Sequence, residues 1–203
     1  METDKVGLES VRDIAAIETL VELLRGRVGS PVSYSSLARD LERDSGTIKR
    51  WLGLLEGLYV VFSVQPYHRN IARSLLKEPK YYFYDTGLIE GDAGPRFENL
   101  CACALLKEVH RASDCLGRDV RLHYLRTRDG RELDFAIMEN GKDPILIEAK
   151  YGDDTPSAAF KHFAAFFPRS VRVQLVKELG REKTFPDGLE VRNAVKWLSR
   201  INL

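Results

Sequence analysis

The chain has 203 residues, of which 44% are hydrophobic and 30% are charged, which is enough apolar material for one sizeable core or two small ones. This composition excludes disordered and fibrous proteins. No stretch reaches the roughly 18 uninterrupted apolar residues that a membrane span needs. The acidic start METDKVGLES lacks the basic and apolar regions of a signal peptide. We therefore expect a soluble, cytoplasmic protein with no membrane partner.

The cysteines and the net charge limit which structural sites and binding surfaces the chain can have. The three cysteines, Cys101, Cys103 and Cys115, form no CxxC pair, so neither a disulfide framework nor a zinc finger is predicted. The net charge is only +1, and a nucleic-acid surface would therefore need a local patch of cations. Two segments carry such patches, Pro66 to Lys80 and Arg118 to Arg131. The alternative for each patch is an ordinary solvated loop face.

The first third of the chain predicts three helices and a pair of strands. Apolar residues recur at helical spacing from Ile14 to Leu24. Ser33 or Ser35 can cap a short second helix, and Thr47 can open a third. Two runs rich in β-branched and aromatic residues then predict a strand pair, LYVVFSV and PKYYFYD.

A helix-turn-helix followed by a β-hairpin is a winged helix, and we assign this fold to residues 1–90. In such a module the last helix would present Lys49 and Arg50 to a DNA major groove. The tip of the hairpin would present Arg69 and Arg73 to the phosphate backbone. Winged helices also dock proteins, so a protein-binding or linker module is the open alternative.

Residues 91–203 predict a second, α/β domain. A helix is expected from about Arg96 to His110. The dipeptides Asp129-Gly130 and Asn140-Gly141 are strong hairpin signals, so the strands on either side of them form an antiparallel meander. A helix that is followed by a further strand favours a right-handed crossover and a mixed sheet. The expected segments are strands 120–127, 132–138 and 144–151, helix 158–167, strand 171–177 and an amphipathic segment around 195–201.

The meander carries most of the candidate functional residues. Glu148 and Lys150 are two positions apart and so point to one side of the sheet, and Asp134 interrupts an otherwise apolar strand. The hairpin would place position 134 roughly opposite position 147, close enough for Asp134 and Glu148 to converge after a twist or a bulge. Glu98 lies on the edge of the apolar face of the preceding helix. Ordinary strand-edge salt bridges and a glutamate that favours the helix dipole are the plain alternatives.

An acid on one strand and ExK on the next, preceded by a helix with a glutamate, resembles the PD-(D/E)xK restriction-endonuclease-like nucleases. The ordered series of segments is similar to the carboxy-terminal region of predicted prokaryotic AAA-type ATPases, over roughly residues 14–200. The segments that carry this resemblance are SLARDL, TIKRWLGLLEGLYVVF, PKYYFYDTGL, FENL, GRELDFAI and IEAK. One departure is Leu133, which stands where the motif name has proline.

The resemblance implies that Glu98, Asp134 and Glu148 are metal ligands and that Lys150 is a catalytic lysine beside Asp134 and Glu148. The three carboxylates and the carbonyl of Ala149 form an all-oxygen ligand set, which suits Mg²⁺ or Mn²⁺. Three arginines before and after the first hairpin turn are placed to hold phosphates, namely Arg126, Arg128 and Arg131. By analogy with nucleases that cut two strands, a homodimer is also expected.

No GxxxxGK[ST] motif occurs, so no nucleotide site and no ATPase activity are predicted for this chain. Two functions from different classes remain. The first is a metal-dependent nuclease-like protein that acts on or binds DNA. The alternative is a non-catalytic DNA- or protein-binding module detached from an AAA-type ATPase.

Overall fold

The computed structural model describes residues 2–67 and 78–203, and of residues 2–12 it describes only the backbone. Helix α3 begins two residues before the expected Thr47, because the Asp44 side chain accepts the backbone N–H of Thr47 at 2.9 Å and caps the helix. The elements of this part of the chain are α1 (Glu2–Arg25), α2 (Tyr34–Asp40), α3 (Ser45–Gly57), β1 (Val61–Pro66) and β2 (Lys80–Phe83).

The second part of the chain contains the predicted meander and crossover. Strands β3, β4 and β5 pair antiparallel in sequence order, and β6 pairs parallel to β5 after a helix. Two short strands, β7 and β8, were not predicted, since their segments are brief and largely polar. The elements are α4 (Ala93–His110), β3 (Val120–Arg126), β4 (Glu132–Glu139), β5 (Ile145–Lys150), α5 (Ala159–Ala164), β6 (Val171–Val176), β7 (Lys183–Thr184), β8 (Leu189–Asn193) and α6 (Ala194–Leu198).

All eight strands belong to one mixed sheet, in the order β2-β1-β3-β4-β5-β6-β8-β7. The expected wing strands β1 and β2 form one end of this sheet, because β1 pairs parallel to β3 at Gln65–His123 and Pro66–Tyr124. One cluster of buried apolar side chains runs from Leu20 in α1 to Ala194 in α6. The architecture is therefore a mixed α/β fold with helices against the sheet. Within the described residues, no helix combines the length and apolarity that crossing a bilayer requires.

A β-bulge lies in β4 at the position of the acidic residue. His123 pairs with Ala136 and Leu125 pairs with Leu133, so β4 has one residue more than β3 over this interval. On the other side of β4, Phe135 lies opposite Ile147. The expected pairing of position 134 with position 147 is therefore wrong by one residue. Continued by one residue, this register places Asp134 opposite Glu148.

Candidate active site

The structure brings Glu98, Asp134, Glu148 and Lys150 into one cluster, which we call the carboxylate cluster. Glu98 comes from α4, Asp134 from the bulge of β4, and the other two from β5. Burial and next the negative charge of Asp134 raise the pKa of both glutamates, so Asp134 lies within electrostatic reach of each of them. Lys150 Nζ lies 2.8 Å from Glu148 Oε1. The residues that the sequence singled out are thus neighbours in space.

The surroundings of Glu148 disfavour its charged form. Its side chain is buried, and its Oε2 atom has no hydrogen-bond partner among the described residues. Burial, and next the charge of Asp134, raise its pKa to about 7, although Lys150 acts in the opposite direction. A buried carboxylate oxygen without a partner is costly. Glu148 therefore presents an acceptor that a cation or a proton would satisfy.

Asp134 is held by the backbone of the neighbouring strand. Its Oδ2 atom accepts the backbone N–H of Ala149 at 2.9 Å. This bond fixes the orientation of Asp134 relative to Glu148.

Lys80, at the start of β2, inserts its ammonium group into the same cluster. Its Nζ lies 2.7 Å from Glu132 Oε1, 3.4 Å from Glu98 Oε1 and 3.7 Å from Asp134 Oδ1. Lys80 is fully buried. Burial lowers the pKa of Lys80, but the charges of its acidic neighbours outweigh that effect and the pKa is raised above its ordinary value. Lys80 is therefore a permanent cation inside the cluster.

Glu98 is held on three sides. Its Oε1 atom accepts the Tyr82 hydroxyl at 2.7 Å as well as the Lys80 ammonium. Its carboxylate also lies against Gly29, where an added Cβ would approach Oε2 to 2.6 Å. Burial, followed by the charge of Asp134, raises the pKa of Glu98 to about 7. The next residue, Asn99, both accepts the backbone N–H of Phe83 and donates to its carbonyl, each at 2.8 Å, so the pair joins α4 to β2.

The predicted DNA-contacting residues lie in several environments. Lys49 and Arg50 are exposed on α3; Lys49 Nζ lies 5.3 Å from the centre of the Tyr34 ring, and Arg50 donates to Thr47. Arg126 pairs with Glu132 at 2.7 Å, and Arg131 pairs with Asp129 at 3.2 Å. Arg128 is exposed and helps to line a cavity of about 280 Å³ that Arg126 and Tyr124 also line. Arg69 and Arg73 lie outside the described residues.

Sequence reasoning missed Lys80, Tyr82 and Glu132 as members of the cluster. It placed Lys80 in a basic surface patch, which is wrong because the side chain is fully buried and paired with acids. A signal existed, since Lys80 begins a strand whose next three residues are all aromatic and buried. A lysine at such a position needs a buried acidic partner.

The donor chemistry of the cluster fits a hard divalent cation in part. Asp134 and Glu148 offer carboxylate oxygens, and the Glu148 Oε2 atom has no other partner among the described residues. Mg²⁺ is commonly held by one or two carboxylates together with substrate phosphates. Within residues 2–67 and 78–203, however, no group of three or more acidic, histidine or cysteine side chains is arranged to hold a metal ion. The fit therefore rests on the Asp134–Glu148 pair.

Comparison with known proteins divides the chain into two adjacent regions. Residues 1–91 match the family described as "Domain of unknown function (DUF8612)", and residues 93–192 match "Domain of unknown function (DUF4143)". Each match covers a little less than half of the chain. No curated protein matches the sequence.

Among solved structures, the chain is similar to one in a refined half-complex from the tetradecameric assembly of Thermococcus gammatolerans McrB AAA+ hexamers with bound McrC. The identity is 13% and the TM-score is 0.34, and the alignment covers 80% of this chain and 35% of that chain. The chain thus spans about a third of the length of that relative. DUF4143 is typically found at the carboxy terminus of AAA-type ATPases. Residues 93–192 are accordingly similar to a domain that accompanies such ATPases.

Proposed function

We propose that this chain is a metal-dependent, nuclease-like protein that acts on DNA and hydrolyses phosphodiester bonds at the carboxylate cluster. The observation that carries the proposal is the meeting of Asp134, Glu148 and Lys150 around a buried Glu148 oxygen with no partner among the described residues. Perturbed ionisable groups that gather in this way are typical of functional sites.

Asp134 and Glu148 would hold Mg²⁺ or Mn²⁺, with the carbonyl of Ala149 as a further predicted ligand. Glu98, the remaining predicted ligand, is engaged by Lys80 and Tyr82. The bound ion would supply an activated water molecule and offset the charge of the departing oxygen. The Ala149 N–H keeps Asp134 aligned for this role, since it donates to Oδ2 at 2.9 Å. Glu148 is aligned by Lys150.

Lys150 is the residue best placed to meet a phosphate. Its ammonium lies 2.8 Å from Glu148 Oε1, and its side chain is 38% exposed, whereas that of Glu148 is 7% exposed. An ammonium that is anchored on one side and open on the other can orient a water molecule or stabilise the negative charge that develops on a phosphate. This is the role that the PD-(D/E)xK resemblance implies for it.

The finer fold assignments belong to the same proposal. Helices α1 to α3 followed by β1 and β2 follow the element order of a winged helix, and β3 to β6 with α4 follow that of a restriction-endonuclease-like core. Lys49 and Arg50 would face DNA from α3, and Arg126, Arg128 and Arg131 would hold phosphates near the cluster. Arg69 and Arg73 remain predicted phosphate contacts. A homodimer also stays a prediction, and light scattering that measures the molar mass of the protein in solution would test it.

Incubation with plasmid and branched DNA in Mn²⁺ tests the proposal. We expect the wild-type protein to cleave, and Asp134→Ala and Lys150→Ala to lose about 100-fold or more of the rate. Lys142→Ala is a matched control, because Lys142 is exposed and is not part of the carboxylate cluster. Its Nζ atom pairs with Glu139 Oε1 at 3.1 Å. Equal background cleavage by the wild-type protein and by both cluster variants would contradict the enzyme assignment.

A second candidate is a non-catalytic DNA- or protein-binding module. The observation that favours it is Lys80, whose ammonium already neutralises part of the acidic charge. Fluorescence anisotropy with labelled DNA, at two salt concentrations, separates the two candidates. This module would bind DNA without cleavage and lose affinity in Lys49→Ala/Arg50→Ala, whereas Asp134→Ala would bind as the wild type does.

A further inference from the structure

The carboxylate cluster has one half that is already neutralised by the protein itself. Lys80 contacts Glu132 and Glu98 at 2.7 and 3.4 Å, and Glu98 Oε1 also accepts the hydroxyl of Tyr82. Buried charges are tolerated when they are paired and hydrogen-bonded, and both conditions hold here. The Glu98 carboxylate also lies against Gly29.

The other half of the cluster is satisfied only in part, because Lys150 Nζ lies 2.8 Å from one oxygen of Glu148, Oε1. Glu148 is 5% exposed, and its Oε2 atom has no hydrogen-bond partner among the described residues. Asp134 stands between the halves, 3.7 Å from Lys80 Nζ through Oδ1 and bonded to the Ala149 N–H through Oδ2. A cation that enters the cluster would therefore meet Glu148 and Asp134 on one side and the positive charge of Lys80 on the other.

We propose that Lys80 is a positioning residue that acts as a fixed internal cation, withholds Glu98 from metal ligation and confines a divalent cation to Asp134 and Glu148. This inference rests on the proposed function and deepens it. It also gives the amino-terminal region a part in the site, because Lys80 lies within residues 1–91 and the acids lie within residues 93–192. The cation site in the second region then depends on the ammonium group of Lys80 from the first region.

Titration calorimetry at pH 8, which measures the affinity of the protein for Mn²⁺, tests this assignment. In the wild-type background, Asp134→Asn should weaken Mn²⁺ affinity about ten-fold or more, and Glu98→Gln less than about three-fold. Lys80→Met removes the charge and keeps much of the side-chain volume, so affinity should rise about ten-fold. In the Lys80→Met background Glu98 becomes free to ligate, and Glu98→Gln should now weaken binding about ten-fold. Lys142→Met is the control for loss of one positive charge and should leave the affinity unchanged.

Equal weakening by Glu98→Gln and Asp134→Asn in the wild-type background would overturn the proposal, and so would unchanged affinity in a folded Lys80→Met. If Lys80→Met does not fold, the comparison of Glu98→Gln with Asp134→Asn decides by itself. Failure of the proposed function is distinguishable, because it appears as a wild-type protein that neither binds Mn²⁺ nor cleaves DNA. Tight, Glu98-dependent binding by Lys80→Met alone would then still support the role of Lys80. No binding by any folded variant would overturn both.

Discussion

Asp134 sets the electrostatic state of its neighbours. Its carboxylate is anchored by the Ala149 N–H, and its charge raises the pKa of Glu98 and of Glu148. Three acids this close need positive charge or protons. Lys80 supplies positive charge on one side, and Lys150 supplies it beside Glu148.

The stability of the metal-free protein should therefore depend on Glu148 at neutral pH. The pKa of Glu148 is raised from 4.5 to about 7 in the folded state, so the folded protein binds a proton that the unfolded chain has released. Unfolding free energy should then fall as pH rises from about 4.5 to about 7. Glu148→Gln should make this fall smaller, and Glu98, whose pKa is likewise raised to about 7, should contribute the remainder. Urea unfolding in chelator across this range measures it.

Glu139 provides a control of opposite sign. Its hydrogen bond to Arg118 lowers the pKa of Glu139 to about 2, so its stabilising effect is complete above about pH 4.5 and is lost as pH falls toward 2. Glu139→Gln should remove a rise in stability over that acidic range and leave the range from 4.5 to 7 unchanged. Equal slopes for wild type and Glu148→Gln would contradict the pKa assignment for Glu148.

Tyr82 should stabilise the fold through its hydroxyl. This hydroxyl donates to Glu98 at 2.7 Å inside the core, and a bond to a charged acceptor contributes about 1.5–3 kcal/mol. We expect Tyr82→Phe to lower the unfolding free energy by that amount in denaturant titrations. Tyr81→Phe is the control, since Tyr81 faces the neutral Tyr34 hydroxyl at 3.2 Å and should lose about 0.5–1.5 kcal/mol. The same loss in both variants would argue against a charged Glu98.

At the scale of elements, the loop between α1 and α2 closes the cluster at Gly29. This glycine has a backbone φ of +75°, which residues with a Cβ rarely adopt. Its Cα faces the Glu98 carboxylate. Helix α4, strand β2 and this loop therefore meet at Glu98. The contact fixes where the carboxylate can lie.

Substitution of Gly29 separates backbone strain from this contact. Gly91 has a similar φ of +91° with open space around it, so Gly91→Ala should cost about 1–2 kcal/mol of unfolding free energy. Gly29→Ala should cost about a further 1–3 kcal/mol, because the new Cβ would displace the Glu98 carboxylate. Thermal unfolding of the two variants measures the difference. Equal losses would show that the carboxylate moves away freely.

The sequence predicted the meander well because its two turns carry Asp-Gly and Asn-Gly, and these dipeptides have strong local preferences. It predicted the meeting of Asp134 and Glu148 but missed the register by one residue, since the connection from Glu139 to Ile145 is longer than the two-residue turn that Asn140-Gly141 indicates. Lys80 was placed in a surface patch because its acidic partners are 18 to 54 residues away along the chain. Charge compensation over such separations is a property of the tertiary fold.

At the scale of the whole molecule, one sheet joins the two regions that match separate families. Strand β1 pairs with β3 across their boundary, and one apolar cluster includes residues from α1 and from α4. Shared pairing and a shared core couple the stability of the two regions. The amino-terminal region should therefore unfold together with the rest.

The two tryptophans of the chain report on this coupling, since Trp51 lies in α3 and Trp197 in α6. In denaturant titrations, Trp197→Phe leaves fluorescence from Trp51 in the first region, and Trp51→Phe leaves fluorescence from Trp197, in the helix that directly follows the second region. Each variant should show a fluorescence midpoint that coincides with its own midpoint by circular dichroism. A fluorescence transition that is clearly separate from the dichroism transition would contradict a single cooperative unit.

The central claim is that the Asp134–Glu148 pair holds a divalent cation. The most direct measurement is anomalous scattering from crystals of the wild-type protein soaked in Mn²⁺, with Asp134→Asn crystals treated in the same way. We expect a peak within about 2.0–2.3 Å of carboxylate oxygens of Asp134 and Glu148, with Lys80 still in contact with Glu98, and no peak in the variant. Well-diffracting wild-type crystals with no peak between these two side chains would contradict it.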